Sequence, residues 1–242
     1  MEIKAAIIGG TGVGSSLGRL PGKPLHVLNG FGMLEGRIVT VADTQVLAIQ
    51  RHAGGHKVPP HAIPYLAVSR ALADLGVRTC LATAAVGSLH SDLPPGSLGT
   101  CGDFIDLTAR RTTAFKHDVV HTPMAVAMSP KVRQAFARAA EAAEVTIGGP
   151  WVYVGVDGPR FETPAEIRMM AALGGDVVGM TAATEAIAMA EHGIDYGCLA
   201  IVSNFAEGIA GVVSHDNVEA TVKSRIADVL SLLQAAIAQL PS

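Results

Sequence analysis

Three short segments carry the residue types from which a site for a flat heterocycle could be built. The first, GVDGPRFETPAE at residues 155–166, supplies an aromatic face in Phe161 and a carboxylate in Glu162; GMT at 179–181 and Ser203-Asn204 follow it. A flat ring with polar edges needs one surface to stack on, and donors and acceptors in its plane. These side chains therefore predict a pocket for such a ring, although a Phe or Glu beside a helix cap is more often structural.

A second group of residues is suited to binding an anion. Gly9-Gly10-Thr11-Gly12 follows the first strand-like run, so backbone N–H groups and the Thr11 hydroxyl could approach a phosphate. The glycines could equally form a plain turn, and neither a dinucleotide fingerprint nor a Walker loop fits the segment. Arg51-His52 ends another apolar run, where Arg51 could bind phosphate with its planar fork or form an ordinary surface ion pair. The two groups together indicate a purine nucleoside bound beside a phosphate.

Other polar residues have less specific patterns. The small residues of TAAVGS at 83–88 either let a ligand approach the backbone or only pack the strand tightly. His52, His56 and His61 are separated by glycines and prolines and have no carboxylate beside them, so we predict no metal site. Glu185 and Asp176 are expected to be solvated or capping residues.

Composition narrows the class of protein. The chain has 242 residues, of which 49% are hydrophobic and 16% charged, with a net charge of −3 and no basic run. Nucleic acid is therefore not an expected partner, and no apolar stretch approaches the roughly 20 residues of a membrane span. Three widely spaced cysteines and the absence of a signal pattern predict buried free thiols in a cytoplasmic protein.

Periodicity predicts an α/β protein. The strand-like runs lie at residues 4–8, 37–41, 45–50, 79–83, 151–156, 176–180 and 198–203, and the helical patterns at 64–75, 129–143, 163–173, 183–192 and 215–240. Ser129 and the Thr163/Glu166 pair are expected to cap their helices. Alternating strands and helices predict a single domain over residues 1–242 with a parallel or mixed sheet, and the segment 88–108 is expected to close part of that sheet into a barrel.

In chain order, the motifs GGTG, RH, TAAVGSL, HTPM, GPRFET and GMT and the final strand-end Asn204 resemble the trimeric purine nucleoside phosphorylase and methylthioadenosine phosphorylase family over residues 7–220. The resemblance implies a single-domain α/β fold with a mixed, partly barrel-like sheet flanked by helices. It also implies phosphorolysis of a purine nucleoside in a homotrimer, with inorganic phosphate as co-substrate and neither metal nor organic cofactor.

The resemblance also implies roles for individual residues. Asn204 and His52 would be the catalytic pair. The remaining roles are phosphate binding by Thr11, Arg51, His52, Thr181 and the backbone at Ala85; purine binding by Phe161, Glu162 and Asn204; and contact with the ribose or its 5′ group by Met180, His56, His215 and, from a neighbouring subunit, His121. His215 could alternatively be only a capping-region residue.

Departures from the family pattern bear on the substrate. Methylthioadenosine phosphorylases carry Asp at positions 204 and 206 and Ser at 162, whereas Asn204 with Glu162 matches the enzymes for 6-oxopurines. The 5′ substituent of the nucleoside is not decided, because His215 favours a hydroxyl and His56 a methylthio group. Inosine, guanosine or 5′-methylthioinosine is the expected substrate, with 5′-methylthioadenosine as the alternative and a non-catalytic nucleoside-binding protein as the alternative of another class. Ala84 replaces a Thr that binds phosphate in some relatives.

Overall fold

The computed structural model describes residues 2–55, 57–210 and 214–240. Its strands are β1 (Ala5–Gly9), β2 (Gly22–Asn29), β3 (Gly32–Val41), β4 (Thr44–Gln50), β5 (Thr79–Ser88), β6 (Leu98–Asp106), β7 (Gly148–Gly155), β8 (Val177–Gly179) and β9 (Asp195–Phe205). Its α-helices are α1 (Val13–Gly18), α2 (Tyr65–Asp74), α3 (Pro130–Ala143), α4 (Pro164–Ala172), α5 (Ala182–Glu191) and α6 (His215–Ala238). No helix among these residues is long and apolar enough to cross a membrane.

All nine strands belong to one mixed sheet that closes on itself at one end. The strand order is β2-β3-β4-β1-β5-β8-β7-β6-β9, and β5 also pairs with β9, so the last five strands form a barrel. β1 lies parallel to β4 and β5, whereas β6 runs antiparallel to β9. The mixed, partly barrel-like sheet predicted from the sequence is therefore confirmed, and the strand within segment 88–108 that closes it is β6.

Two apolar cores cover the sheet from opposite sides. One contains side chains of α2 and α5 packed on β1, β4 and β9, and the other contains those of α1, α3 and α6. Strands covered on both faces need apolar residues at successive positions, which explains the continuous apolar runs in the sequence. All three cysteines are buried and unpaired, as predicted.

Both predicted N-cap residues, Ser129 and Thr163, stand at the starts of their helices, but only Thr163 caps with its side chain. The capping box at Thr163 and Glu166 is present, with the Thr163 side chain accepting from Glu166 N at 3.2 Å and Glu166 Oε2 accepting from Thr163 N at 2.7 Å. Ser129 is the N-cap residue of α3 and Pro130 follows at its first turn, as predicted, but the Ser129 side chain makes no capping hydrogen bond. Its hydroxyl instead donates to Asp195 at 3.0 Å, so it links α3 to the start of β9.

Parallel pairing brings the sequence motifs to one edge of the sheet. Gly9 pairs with Gln50 across β1 and β4, and Arg51 N donates to Gly9 O at 3.1 Å, so the glycine loop and Arg51 are adjacent. On the barrel side Gly87 pairs with Asn204, beside a register shift between Val86 and Gly87. Irregular strand ends of this kind turn side chains out of the regular pleat, which is where sites form.

Candidate active site

A cavity of about 380 Å³ opens at this edge of the sheet, a size typical of small-molecule sites. Nine of the residues singled out in the sequence line it: Thr11, Arg51, His52, Ala85, Phe161, Glu162, Met180, Thr181 and Asn204. They come from the ends of four strands, from within β5 and from the segment between β7 and α4. The cavity thus joins the residues suited to an anion with those suited to a flat ring.

Several backbone amides in and after the glycine loop are bonded within the protein. Gly10 N donates to Thr83 Oγ1 at 3.2 Å, and the N–H groups of Val13 and Gly14 bond to carbonyls within the loop. The expectation that the loop amides approach an anion is therefore wrong for Gly10. Thr11 is the loop residue that lines the cavity. Glycine is needed at position 10, since a Cβ there would lie 2.5 Å from Arg51 Nη1.

Arg51 is buried and held by an acidic residue that the sequence analysis had assigned to solvent or a helix cap. Its Nε and Nη2 donate to the two carboxylate oxygens of Glu185 at 2.5 and 2.8 Å, and its Nη1 donates to Thr83 O at 2.7 Å. Burial alone would lower the pKa of Arg51, but the Glu185 carboxylate outweighs it and raises that pKa. Tyr196 donates a further hydrogen bond to Glu185 at 2.7 Å. Three of the five guanidinium N–H donors are used, and two remain for a ligand.

His52 has its ring orientation fixed by the backbone. Its Nδ1 lies 2.8 Å from Val58 O, and because a carbonyl only accepts, Nδ1 carries the proton. In the neutral ring Nε2 is then an acceptor. It would bind the P–OH group of a phosphate, and would donate to a phosphate oxygen only after protonation.

Thr181 stands at the N-terminus of α5 with its hydroxyl uncommitted to the helix. Thr181 N and Ala182 N donate to Tyr153 Oη at 3.0 and 3.2 Å, and no side chain caps the helix. The hydroxyl of Thr181, which lines the cavity, is therefore placed to serve a ligand while Tyr153 anchors the backbone. Position 179 must be glycine because any Cβ there would collide with the Tyr153 hydroxyl.

The middle of β5 leaves room for a ligand. Ala84 and Ala85 both line the cavity, and the preceding Thr83 directs its hydroxyl to the glycine loop. No hydroxyl at position 84 adds to the residues predicted to bind an anion, so the predicted residues that line the cavity are Thr11, Arg51, His52 and Thr181, together with Ala85. The small residues of this strand therefore serve both close packing and access to the backbone.

The other end of the cavity suits a planar base. Phe161 is 38% exposed and faces the cavity, whereas Glu162 is 9% exposed. Burial raises the pKa of Glu162 above its usual value; its own backbone N–H and Arg160 oppose the shift, and Glu166 and Glu207 reinforce it. A half-exposed ring beside a largely buried carboxylate offers a stacking face and an in-plane acceptor.

Asn204 is oriented by its neighbours and keeps hydrogen-bonding capacity. Its Nδ2 donates to Phe205 O at 2.9 Å and its Oδ1 accepts from Ser203 Oγ at 2.7 Å, which leaves one N–H and one lone pair. Gly87 lies beside the Asn204 carboxamide: a Cβ at position 87 would lie 3.3 Å from Asn204 Nδ2. The carboxamide can therefore donate to one atom of a base and accept from another.

Arg110 ties the cavity wall together, and no specific sequence signal pointed to it. Its guanidinium donates to Pro60 O at 2.8 Å, Met180 O at 2.9 Å and Val156 O at 3.1 Å, and it pairs with Asp157 at 3.0 Å. Pro60 and Met180 both line the cavity. One cation thus fixes carbonyls from three separate segments around the predicted ribose position.

Three predicted ligands of the ribose or its 5′ group remain predictions. His56 lies outside the described residues, as does the side chain of His215. His121 is exposed on the long segment between β6 and α3 and does not line the cavity of its own chain. Within the described ranges, no group of three His, Cys, Asp or Glu side chains could hold a metal ion. Cavity residues that the sequence analysis did not select include Lys57, Val58, Pro59, Pro60, Glu207 and Val218.

Comparison with known proteins agrees with the motifs. The sequence profile of the Phosphorylase superfamily matches residues 4–238. A probable S-methyl-5′-thioinosine phosphorylase of Methanopyrus kandleri is 40% identical over 208 residues, covering 85% of this chain and 80% of that protein. The 6-oxopurine nucleoside phosphorylase of Pyrococcus furiosus is 36% identical over 251 residues, covering 98% and 93%.

Solved structures give the same result. A methylthioadenosine phosphorylase from an antarctic soil metagenomic library superposes with a TM-score of 0.90 at 29% identity, covering 100% of this chain and 88% of that one. The methylthioadenosine phosphorylase from Schistosoma mansoni in complex with adenine gives a TM-score of 0.86 at 29% identity, covering 98% and 91%. The resemblance inferred from the ordered motifs is confirmed, and the chain belongs to the phosphorylase superfamily.

Proposed function

We propose that this protein catalyses the phosphorolysis of a 6-oxopurine nucleoside to the free purine and a ribose 1-phosphate, with inorganic phosphate as co-substrate and without metal or organic cofactor. One observation carries the proposal: a single cavity joins Arg51, His52, Thr11 and Thr181 to Phe161, Glu162 and Asn204. A cation and hydroxyls suit phosphate, and a ring, a carboxylate and an amide suit a purine. A sugar held between them would have its C1′ facing both partners.

The reaction breaks the N9–C1′ bond and forms a bond from a phosphate oxygen to C1′. The bonding electrons leave with the purine, and the sugar gains oxocarbenium character. Phosphate held by Arg51 and Thr181 supplies the nucleophile at high effective concentration and stabilises the positive sugar. Asn204 would meet the charge that develops at N7 and O6 of the departing base by hydrogen bonding.

Glu162 supports a 6-oxopurine over adenine. Its ionised carboxylate accepts from N1–H of hypoxanthine or guanine, whereas N1 of adenine is itself an acceptor and would be repelled. 5′-Methylthioadenosine stays the alternative substrate, since both solved structures described above are of methylthioadenosine phosphorylases.

A methylthio group is proposed as one of the 5′ substituents of the ribose that the cavity accepts. Val58, Pro59, Pro60 and Val218 add apolar side chains to the cavity, which favours a thioether over a hydroxyl that would need a partner. His215 could supply such a partner for a 5′-hydroxyl. Both 5′-methylthioinosine and inosine are therefore proposed as substrates, the first with the lower KM.

A homotrimer in the cytoplasm is the proposed working form. The segment that carries His121 exposes Leu107, Val119, Val120 and Val126, an unusual density of apolar residues for a free surface. We propose that this segment packs on a neighbouring subunit and delivers His121 to its ribose site. The buried unpaired cysteines support a reducing compartment.

The test is a substrate panel of inosine, guanosine, 5′-methylthioinosine and 5′-methylthioadenosine, each with and without phosphate. We expect phosphate-dependent release of base and formation of the sugar 1-phosphate, fastest with the 6-oxopurine substrates. Tight nucleoside binding without turnover would instead identify a non-catalytic binding protein. Faster cleavage of 5′-methylthioadenosine than of 5′-methylthioinosine would overturn the base assignment.

A further inference from the structure

A second carboxylate faces the base end of the cavity. Glu207 lies three residues beyond Asn204, in the turn that follows β9, and lines the same cavity as Glu162. It is half-buried, and it is close enough to Glu162 for the two charges to interact. The catalytic scheme described above assigns Glu207 no task.

Nearby cations do not neutralise this pair. Arg160 directs its guanidinium to both carboxylate oxygens of Glu166, at 2.7 and 2.9 Å, and interacts with Glu162 only at longer range. Among the described residues no ion pair or side-chain hydrogen bond engages the carboxylate of Glu162 or Glu207; Glu162 has only its own backbone N–H. The two negative charges in one cavity disfavour each other, and a ligand that supplies N–H donors to both carboxylates would offset that repulsion.

The chemistry of the base decides which ligand can do so. Hypoxanthine presents one donor, N1–H, on the edge beside its 6-oxo group. Guanine presents N1–H and an exocyclic 2-amino group with two further N–H donors. The two oxygens of one carboxylate can accept from N1–H and from the nearer amino hydrogen, and a second acceptor near Glu162 is suited to the other amino hydrogen.

We propose that Glu207 is a specificity-determining residue that accepts from the 2-amino group, so that the site prefers 2-amino-6-oxopurine nucleosides over their hypoxanthine counterparts. This inference rests on the proposed function of the same cavity. A hydrogen bond to a charged acceptor changes affinity by about tenfold or more, so that is the preference expected for guanosine over inosine.

The experiment compares kcat/KM for guanosine and inosine, at saturating phosphate, in the wild type, Glu207→Ala and Glu207→Gln. In Glu207→Ala we expect the guanosine-to-inosine ratio to fall about tenfold, through a higher KM for guanosine, while inosine cleavage is retained. Glu207→Gln keeps an acceptor oxygen without the charge and should be intermediate. Glu141→Gln, an exposed residue of α3, is the charge-matched control and should keep the wild-type ratio.

The outcomes separate this inference from the proposed function. An unchanged ratio in Glu207→Ala, with inosine still cleaved, would overturn the role of Glu207 and leave phosphorolysis intact. A wild-type preference for inosine would overturn it as well. If no nucleoside is cleaved, calorimetric binding of guanine and hypoxanthine still decides the matter: guanine should bind more tightly, and Glu207→Ala should abolish that difference.

Discussion

Glu185 holds Arg51 in a buried two-point ion pair, with Oε1 2.5 Å from Nε and Oε2 2.8 Å from Nη2. The side chains are 1% and 4% exposed for Arg51 and Glu185. The pair joins the end of β4 to the first turn of α5, so it fixes the guanidinium against the helix whose N-cap residue is Thr181. The two residues that we propose for phosphate binding are thereby held in one rigid unit.

The first prediction concerns the stability that depends on this pair. Glu185→Ala leaves the Arg51 charge buried without a partner, so we expect the free energy of unfolding to fall by about 3–5 kcal/mol. Urea denaturation measures the loss. Asp74→Ala is the control, because its pair with Arg70 is exposed and should cost at most about 1 kcal/mol. Equal losses in the two variants would contradict the importance of the buried pair.

The second prediction separates the contribution of this network to protein stability from the contribution of Arg51 to phosphate binding. The triple variant Arg51→Met, Glu185→Met, Tyr196→Phe removes all the side chains of the network, and apolar replacement of a buried pair is often nearly neutral. We expect it to be more stable than Glu185→Ala, yet to show a strongly raised KM for phosphate, because the remaining N–H donors of Arg51 are gone. A normal apparent affinity for phosphate in this variant would show that Arg51 does not bind phosphate.

Local signals made most of the fold predictable. The central strands are long apolar runs, and the box at Thr163 and Glu166 marks a helix start, because both depend on residues close in sequence. The sequence analysis missed β2, which is an edge strand. Its residues are mostly exposed and include Pro24, which edge strands allow, so β2 shows no apolar run. Gly30 and Phe31 form the loop between β2 and β3, and the Asn29-Gly30 sequence at this loop is a turn signal that could have identified the hairpin.

The site was only partly predictable, because some of its contacts join residues that are far apart in the sequence. Motif residues at strand ends converge because parallel pairing brings strand ends together, which a sequence can indicate. The partner of Arg51 could not be foreseen, since Glu185 is 134 positions away and an acid near a helix start is usually a solvated one. Arg110 is similar, because its partners are backbone carbonyls, which carry no sequence signature.

A third prediction tests the contact with the leaving base. Asn204→Ala removes a donor expected to act in the transition state, so kcat should fall on the order of 10²–10³, or about 3–4 kcal/mol, for every purine substrate. Asn217→Ala, an exposed amide on α6, should leave kcat unchanged. Steady-state kinetics with inosine and 5′-methylthioinosine make the comparison. A normal kcat in Asn204→Ala would exclude the proposed leaving-group role.

A fourth prediction uses the same position to test base selectivity. In Asn204→Asp the amide donor becomes a carboxylate acceptor, which suits the 6-amino group of adenine and repels a 6-oxo group. The ratio of adenosine to inosine cleavage should therefore rise. The measurement is kcat/KM for both nucleosides at fixed phosphate, and an unchanged ratio would contradict the assignment of Asn204 to the 6-substituent.

The last prediction is a pH dependence that arises from Glu162. Burial, with reinforcement from Glu166 and Glu207, raises its pKa above the usual 4.5, so the carboxylate gains a proton at a higher pH than an exposed glutamate. Only the ionised form accepts from N1–H, so kcat/KM for inosine should fall as pH falls through the raised pKa. Glu162→Gln cannot titrate and should lose that acidic limb, while any limb due to phosphate itself persists. An identical acidic limb in both proteins would show that another group controls binding of the base.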